Sequence, residues 1–199
     1  FSYSLFFKGG LHMTTNPPWS PYYIMKGQIT APLCKKIIDY HSYLPYSRGE
    51  VSVNGKSIRN WDRNVELQGS ELSWANNMIL DYVKEANRVN FQYDLSEDDK
   101  EYLQFSRYGF GMYFHTHMDW DPHTTPTRKL SVTVQLSDPS SYKGGNLILY
   151  NCDRKSLKCP RDQGTIVIFD SRWLHRVTPI LWGTRYSLVK WVHGDTPLK

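Results

Sequence analysis

The chain of 199 residues is 40% hydrophobic and 22% charged, an ordinary composition for a globular domain that excludes a disordered or a collagen-like protein. No run of about 18 apolar residues occurs in the sequence, so we predict no membrane-spanning helix. The formal net charge of +5 permits an anionic partner, but without a block of Lys and Arg it does not demand nucleic acid.

The first residues differ from the rest of the sequence. Residues 1–7 are aromatic but lack the basic start and the long apolar stretch of a signal peptide. His12-Met13 is consistent with a cloning junction. We therefore expect a vector-derived tail at residues 1–13 and a single domain over residues 14–199.

The three cysteines do not form an even disulfide framework. Cys152 and Cys159 are seven residues apart, too far for a CxxC pair, and a loop disulfide between them stays open. Reduced thiols are the simpler interpretation, and they indicate the cytoplasm.

Two helices are predicted in the first half of the chain. Thr30 can cap the first one, with Pro32 in its first turn. Its apolar face is formed by Leu33, Ile37, Ile38 and Leu44. Residues 45–69 follow as loops and short strands around the turn signal Asn54-Gly55. The second helix is predicted over about 71–88, where apolar residues recur at intervals of three and four.

From residue 102 the hydrophobic period changes to two, which indicates strands. The predicted strands are 102–109, 129–136, 145–150, 165–170 and 184–193. Helices followed by many short strands predict an α+β chain whose second half is a β-sandwich or barrel.

Polar residues with metal-binding chemistry gather in two places along this strand-rich half. If residues 115–121 are extended, His115, His117, Asp119 and Asp121 share one face. An imidazole and a carboxylate two residues apart can bind one metal ion, and His175 is the natural distal third ligand. Two His and one carboxylate leave open positions that suit non-haem Fe(II).

Arg185 follows His175 by ten residues. Its guanidinium presents a donor fork that matches a carboxylate. A dicarboxylate could therefore chelate iron at one end and pair with Arg185 at the other. A solvated arginine on a strand face is the alternative interpretation, and the position relative to His175 makes it the weaker one.

At this point the sequence resembles the prolyl-hydroxylase-like branch of the 2-oxoglutarate- and Fe(II)-dependent dioxygenases, with the PKHD-type hydroxylases of bacteria and phages as the nearest group. The resemblance covers about residues 22–193. The matching motifs are Arg107-Tyr108 through Gly111, Tyr113, His117-x-Asp119, Gly144-Gly145-Asn146-Leu147, the LHRVTP of Leu174–Pro179, and Arg185.

The resemblance implies that His117, Asp119 and His175 bind iron. Gly111 precedes His117 by six residues, as in the PKHD pattern, which favours His117 over His115 as the ligand. The resemblance gives Arg185 the distal carboxylate of 2-oxoglutarate. The other cosubstrate-binding residues that it implies are Tyr108, Thr133 and Gln135.

The implied fold is a double-stranded β-helix, or jelly roll, flanked by the two N-terminal helices, with loops 45–65 as a candidate substrate lid. The implied reaction couples decarboxylation of 2-oxoglutarate, with O₂, to hydroxylation of an unactivated C–H bond. Ascorbate is a candidate reductant. The expected partner is a peptide or protein containing proline. The expected compartment is the cytoplasm, which is the host cytoplasm if the gene belongs to a phage.

Four residues are candidates for contact with this substrate. Three are aromatic side chains that can pack on a pyrrolidine ring or on an extended proline-rich segment. The fourth is a carboxylate beside the metal motif. They are Trp191, Tyr113, Trp120 and Asp121.

Two alternatives remain open. An oxidative nucleic-acid demethylase uses the same metal core, but that family places a second Arg six residues after the first, where this chain has Trp191. A non-catalytic jelly-roll binding module is the other alternative. In that case iron would not bind with simple stoichiometry.

Overall fold

A computed structural model describes residues 20–48, 51–53, 56–58, 63–98, 100–151 and 155–198. The predicted tail at residues 1–13, the turn at Asn54-Gly55 and Cys152 lie outside these ranges. Consequently the structure does not test the predicted tail or the open disulfide. Cys34 and Cys159 are described, and both are buried free thiols.

Two α-helices precede most of the strands, as predicted. They are α1 (Ala31–Ser42) and α2 (Ser73–Ala86). The strands before and between them are β1 (Tyr22–Met25), β2 (Ser47–Arg48), β3 (Val51–Val53), β4 (Lys56–Ile58), β5 (Arg63–Asn64) and β6 (Glu66–Ser70). The strands after α2 are β7 (Leu103–Tyr108), β8 (Tyr113–His117), β9 (Arg128–Gln135), β10 (Tyr142–Gly144), β11 (Leu147–Tyr150), β12 (Ser156–Lys158), β13 (Ile166–Asp170), β14 (Leu174–Val177), β15 (Ile180–Gly183) and β16 (Arg185–His193).

The strands form two principal antiparallel sheets. The larger has the order β1-β13-β9-β16-β7-β6-β2 and the smaller the order β12-β11-β14-β8-β5. From β7 onward the chain passes back and forth between the two sheets, so that β7, β16, β9 and β13 face β8, β14, β11 and β12. This winding is a jelly roll, and the predicted fold class is confirmed.

The protein has two hydrophobic cores, one on each face of the larger sheet. The outer core packs α1 and α2 on that sheet, with Ile37 and Ile79 against Phe105 and Leu130. The inner core lies between the two sheets and includes Leu149. The strands β13, β9, β16 and β7 of the larger sheet are therefore covered on both faces.

The alternation predicted for residues 129–136 is present, but its polar face is not solvated. Leu130 and its apolar partners face the helices. Ser131, Thr133 and Gln135 point the other way, and all three are buried. Polar side chains inside a jelly roll need partners or ligands, and these three lie at the site described below.

The second helix ends in a way that its periodicity does not predict. One π-helical turn, Asn87–Phe91, follows α2. Within it, Asn90 donates to the carbonyl of Ser20 at 2.6 Å and accepts from the Ser20 N–H at 3.1 Å. The turn thereby fixes the segment that leads into β1, since both backbone groups of Ser20 are satisfied by one amide.

The helices of the described ranges fall short of the length and apolar composition that crossing a membrane requires.

The buried His41 of α1 ties stability to pH. Its ring stacks on Phe105 at 4.1 Å, and Nδ1 lies 2.8 Å from the carbonyl of Ile37. Burial lowers the pKa of His41, and the Ile37 carbonyl offsets this only in part. His41 therefore binds a proton less readily in the folded chain than in the unfolded chain. The free energy of unfolding is retained above the ordinary pKa of about 6.5 and falls as the pH drops below it.

We expect His41→Phe to reduce this acid sensitivity, because phenylalanine keeps the stacked ring and removes the titrating group. The melting temperature of the wild-type protein should fall between pH 7.5 and pH 5.5 by more than that of the variant. Equal falls in both proteins would show that His41 carries none of the pH dependence.

Candidate metal centre and adjoining cavity

Three predicted ligands come together at one end of the smaller sheet. His117 ends β8 and is the direct cross-strand neighbour of His175 in β14. Asp119 follows two residues after β8. Its carboxylate oxygens lie 3.5 Å from Nε2 of His117 and 3.4 Å from Nε2 of His175. The three ligand atoms all lie within 4.8 Å of one another, a spacing that one metal ion can bridge.

A β-bulge selects His117 rather than His115 for this position. His175 pairs with His117, but Val177 pairs with Phe114, so β8 carries one extra residue at this point. Phe114 and His117 consequently stack at 3.6 Å. His115 is exposed and packs on Tyr113 instead. The prediction that residues 115–121 form one extended face is wrong, because the bulge shifts the alternation and the strand ends at His117.

The imidazoles turn their lone pairs toward the carboxylate. Nδ1 of His117 lies 2.8 Å from the His115 carbonyl, and Nδ1 of His175 lies 3.0 Å from the Trp173 carbonyl. A carbonyl accepts only from a protonated Nδ1, so in each neutral ring Nε2 is the unprotonated atom. Two lone pairs and a carboxylate then meet in a buried space, and a cation between them relieves the repulsion.

The directions in which the pKa values of Asp119 and His175 are shifted fit a site for a divalent cation. Burial by itself raises the pKa of Asp119, but the two imidazoles and the Ser131 hydroxyl outweigh it and hold that pKa below its ordinary value. Burial lowers the pKa of His175 more than Asp119 raises it. The site therefore presents a carboxylate and a neutral imidazole, the forms that metals bind.

The Asp119 loop is held from three sides. Ser131 of β9 donates its hydroxyl to Asp119 Oδ2 at 2.7 Å. The Ser171 carbonyl accepts from the Asp119 N–H at 3.1 Å. Arg128 donates to the Asp119 carbonyl at 2.9 Å while its other nitrogens pair with Glu101. Such contacts fix a ligand's orientation before a metal binds. The sequence pattern marks these contacts only through the polar face of β9, which includes Ser131.

Arg185 lies on the larger sheet, which also carries Ser131, the hydrogen-bond donor to Asp119. It begins β16 opposite Tyr108 of β7, whose ring lies 5.4 Å from the guanidinium. The side chain is only 2% exposed. It donates to Gln135 at 3.1 Å and to Ser187 at 3.2 Å, and no carboxylate among the described residues pairs with it. A buried guanidinium without an acid is a strong site for an anion.

A narrow cavity adjoins this guanidinium. Thr133, Gln135 and Arg185 line it together with apolar side chains such as Leu147. Gly145 keeps it open, because a Cβ there would lie 3.1 Å from Cδ of Arg185 and 2.4 Å from Ile180. The double glycine of the sequence motif thus lets the chain approach the anion site closely. A larger cavity, of about 670 Å³, lies at the far end of β16 beside the end of α2, and Trp191 is among the residues that line it.

The two tryptophans expected to contact substrate lie near the Asp119 loop. Trp191 is the cross-strand neighbour of Ser131, and the Arg128 guanidinium stacks 4.5 Å from its ring. Trp120 donates its indole N–H to the Pro126 carbonyl at 3.2 Å. Both are partly exposed, and their contact with substrate stays a prediction.

The other two substrate candidates lie outside the metal cluster. Tyr113 packs against His115 with ring centroids 4.7 Å apart. Asp121 is exposed and accepts hydrogen bonds from the N–H groups of His123 and Thr124. These bonds lower its pKa. Asp121 therefore stabilises a turn, and a role in substrate contact stays a prediction for both residues.

Comparison with known proteins agrees with this geometry. Residues 103–193 match the family model described as the 2OG-Fe(II) oxygenase superfamily. A PKHD-type hydroxylase from Picosynechococcus sp. is 32% identical over 148 residues, which cover 71% of this chain and 67% of that protein.

Two solved structures are similar in fold at 17% identity and a TM-score of 0.70 each. One is a prolyl-4-hydroxylase from Pseudomonas putida, with coverage of 88% of this chain and 93% of that one. The other is a prolyl hydroxylase from Trichoplax adhaerens in complex with a peptide fragment of the hypoxia inducible factor oxygen degradation domain, with coverage of 88% and 84%.

We expect Ser131→Ala to weaken metal binding roughly tenfold or more, the usual scale for removing a group that orients a ligand. The Asp119 carboxylate would lose the hydroxyl that fixes one of its oxygens. Titration of the anaerobic protein with Fe(II) measures the dissociation constant. Ser70→Ala, at another buried serine of the same sheet, is the matched control and should leave it unchanged. Loss of affinity in both variants would refute the role of Ser131.

Proposed function

Because this chain belongs to the 2OG-Fe(II) oxygenase superfamily, we propose that it hydroxylates a prolyl residue of a peptide or protein. Membership makes the chain a dioxygenase that uses Fe(II), 2-oxoglutarate and O₂. The choice of prolyl substrate is the part that is proposed.

One observation carries the site assignment within this proposal. His117, Asp119 and His175 converge at one point, and Ser131, which donates to Asp119, precedes Thr133 on the inner face of β9. Thr133 lines a cavity in which Arg185 is buried without an acid partner among the described residues. We assign the first three as iron ligands and Arg185 as the partner of the distal carboxylate of 2-oxoglutarate. Bound iron supplies the oxidising chemistry, in which 2-oxoglutarate, O₂ and a C–H bond yield succinate, CO₂ and an alcohol.

The chain's own residues position the reactants and exclude water. The Asp119 carboxylate is held ready by Ser131, and the two imidazoles by backbone carbonyls. Arg185 fixes one end of the dicarboxylate, with Tyr108 beneath it. Thr133, on the same wall, is a further candidate contact. Placement of the cosubstrate by groups that are already ordered lowers the entropic part of the barrier.

Two solved structures with a similar fold support a prolyl peptide as the substrate. The Trichoplax structure is a prolyl hydroxylase with a peptide bound, and the Pseudomonas structure is a prolyl-4-hydroxylase. Trp191 and Trp120 beside the Asp119 loop supply aromatic surface of the type on which proline packs. The peptide is the proposed partner.

The nucleic-acid demethylase is the weaker candidate. At the position of that family's second arginine this chain has Trp191, whose ring is covered by Arg128, and Arg128 is engaged by Glu101.

The free and buried thiols of Cys34 and Cys159 support the cytoplasm as the compartment, since thiols persist there.

We expect His117→Ala to reduce succinate formation to background, because the iron loses a ligand. His115→Ala, two residues away and exposed, is the matched control and should retain activity. Succinate released from 2-oxoglutarate in the presence of Fe(II) and ascorbate is the measurement. If His115→Ala were inactive and His117→Ala active, the ligand assignment would be wrong. Succinate formation that is the same in the wild type and in His117→Ala would refute the enzyme assignment.

The substrate class is tested with a panel of proline-containing peptides. We expect mass spectrometry to find a gain of one oxygen atom on proline, dependent on 2-oxoglutarate. The same peptides with alanine in place of proline are the control and should stay unmodified. Oxidation of the alanine peptides, or demethylation of a methylated oligonucleotide in parallel reactions, would contradict the prolyl assignment.

A further inference from the structure

A buried tyrosine reaches the cavity beside Arg185 and was not among the candidate residues. Tyr142 begins β10 and is 1% exposed. Its phenol lines the same cavity as Arg185, and its ring is one of the groups that a Cβ on Gly145 would meet, at 3.3 Å. The hydrogen bonds around its hydroxyl determine which way its proton points.

The first of these bonds is fixed by Arg185. The Nε–H of an arginine can only donate, so the Gln135 atom 3.1 Å away must be the carbonyl oxygen. The Gln135 amide nitrogen then donates to the Ser137 carbonyl at 3.3 Å and to the Tyr142 hydroxyl at 2.9 Å. If the Gln135 amide were flipped, its NH₂ group would face the Nε–H of Arg185, and its oxygen would face the carbonyl oxygen of Ser137.

The second bond comes from Arg161. Its Nε–H donates to the Tyr142 hydroxyl at 3.2 Å, and another nitrogen donates to the Tyr142 carbonyl at 2.8 Å. The guanidinium lies 4.1 Å from the phenol ring, which holds both side chains in one geometry.

The Tyr142 oxygen therefore accepts two hydrogen bonds and must give its own proton to something else. Among the described residues no acceptor receives that proton. The O–H of Tyr142 can therefore point only into the cavity, which Arg185 also lines. Gln135 and Ser187 accept from two of the Arg185 nitrogens, and the other N–H groups are available to an anion. A phenol donor and a guanidinium that converge on one small space suit a carboxylate.

We propose that Tyr142 is a cosubstrate-binding residue, whose O–H donates to the distal carboxylate of 2-oxoglutarate beside Arg185. Arg161 and Gln135 are positioning residues, because each occupies one acceptor site of the phenol and so aims its proton. Both ends of the Gln135 amide are used by the protein, which makes Gln135 an orienting group rather than a direct contact. The inference rests on the proposed role of Arg185.

The test compares two 2-oxo acids on Tyr142→Phe. 2-Oxoglutarate carries the distal carboxylate, and 2-oxobutyrate has the same 2-oxo acid end without it. We expect the dissociation constant of 2-oxoglutarate from the anaerobic Fe(II) protein to rise roughly tenfold or more, the usual scale of a hydrogen bond to a charged group. That of 2-oxobutyrate should stay unchanged. Isothermal titration calorimetry measures both.

An unchanged constant for 2-oxoglutarate, or an equal loss for both acids, overturns the inference alone. Failure of the wild-type protein to bind 2-oxoglutarate overturns the proposed role of Arg185 and the inference with it. Tyr186→Phe, at the residue next to Arg185 and packed on Phe105, is the control and should bind both acids as the wild type does.

A second variant keeps the test decisive if Tyr142→Phe does not fold, as judged by its melting curve. Arg161→Lys keeps the positive charge but loses the Nε–H that occupies the phenol oxygen. We expect it to weaken binding of 2-oxoglutarate and not of 2-oxobutyrate. A change that is the same for both acids, or no change, overturns the proposal.

Discussion

The interior of the jelly roll holds two charges that do not neutralise each other. The Asp119 side chain is 9% exposed, and its carboxylate has imidazoles and a hydroxyl as neighbours. Arg185 is a buried guanidinium whose partners are an amide and a hydroxyl. Burying a charge without a counter-charge costs several kcal/mol, roughly, even after the protein relaxes. The fold accepts this cost at two adjoining places, and a cation at one and an anion at the other would offset it. Hydrogen bonds from Ser131 to Asp119, and from Arg185 to Gln135 and Ser187, fix each charge in its place.

Much of this arrangement could be predicted from the sequence. His117 and Asp119 are two residues apart, and Arg185 follows His175 by ten. Together these spacings indicate a site for iron and a dicarboxylate, so the four residues could be assigned to one site from the sequence. A change of period at about residue 102 indicated an α+β chain with a sandwich or barrel, and the resemblance to the dioxygenases implied the jelly roll. Periodicity of this kind is visible because a helix and a strand bury one face at different intervals.

The remainder depends on tertiary contacts that a linear pattern does not contain. A β-bulge in β8 moves His115 off the face of His117. Because His115 and Thr116 are both polar, the sequence pattern does not reveal the extra residue. Ser131 and Tyr142 have ordinary side chains in ordinary strand positions, and their roles appear only when Asp119 and Arg161 are brought to them from elsewhere in the chain. The π-turn at Asn87–Phe91 is similar, since it is stabilised by Ser20, far away in sequence.

The pairing of β1 with β13 has a consequence for how the protein is made. Tyr22 lies opposite Phe169, and Met25 opposite Ile166, so β1 is synthesised before both helices and pairs with a strand that is synthesised well after them. Contacts between such distant parts of a chain slow folding. Until they form, the apolar strand Ile166–Asp170 has one open edge, and open edges of this kind recruit other chains. The edge of β13 is therefore open to other chains from the time it leaves the ribosome until β1 pairs with it.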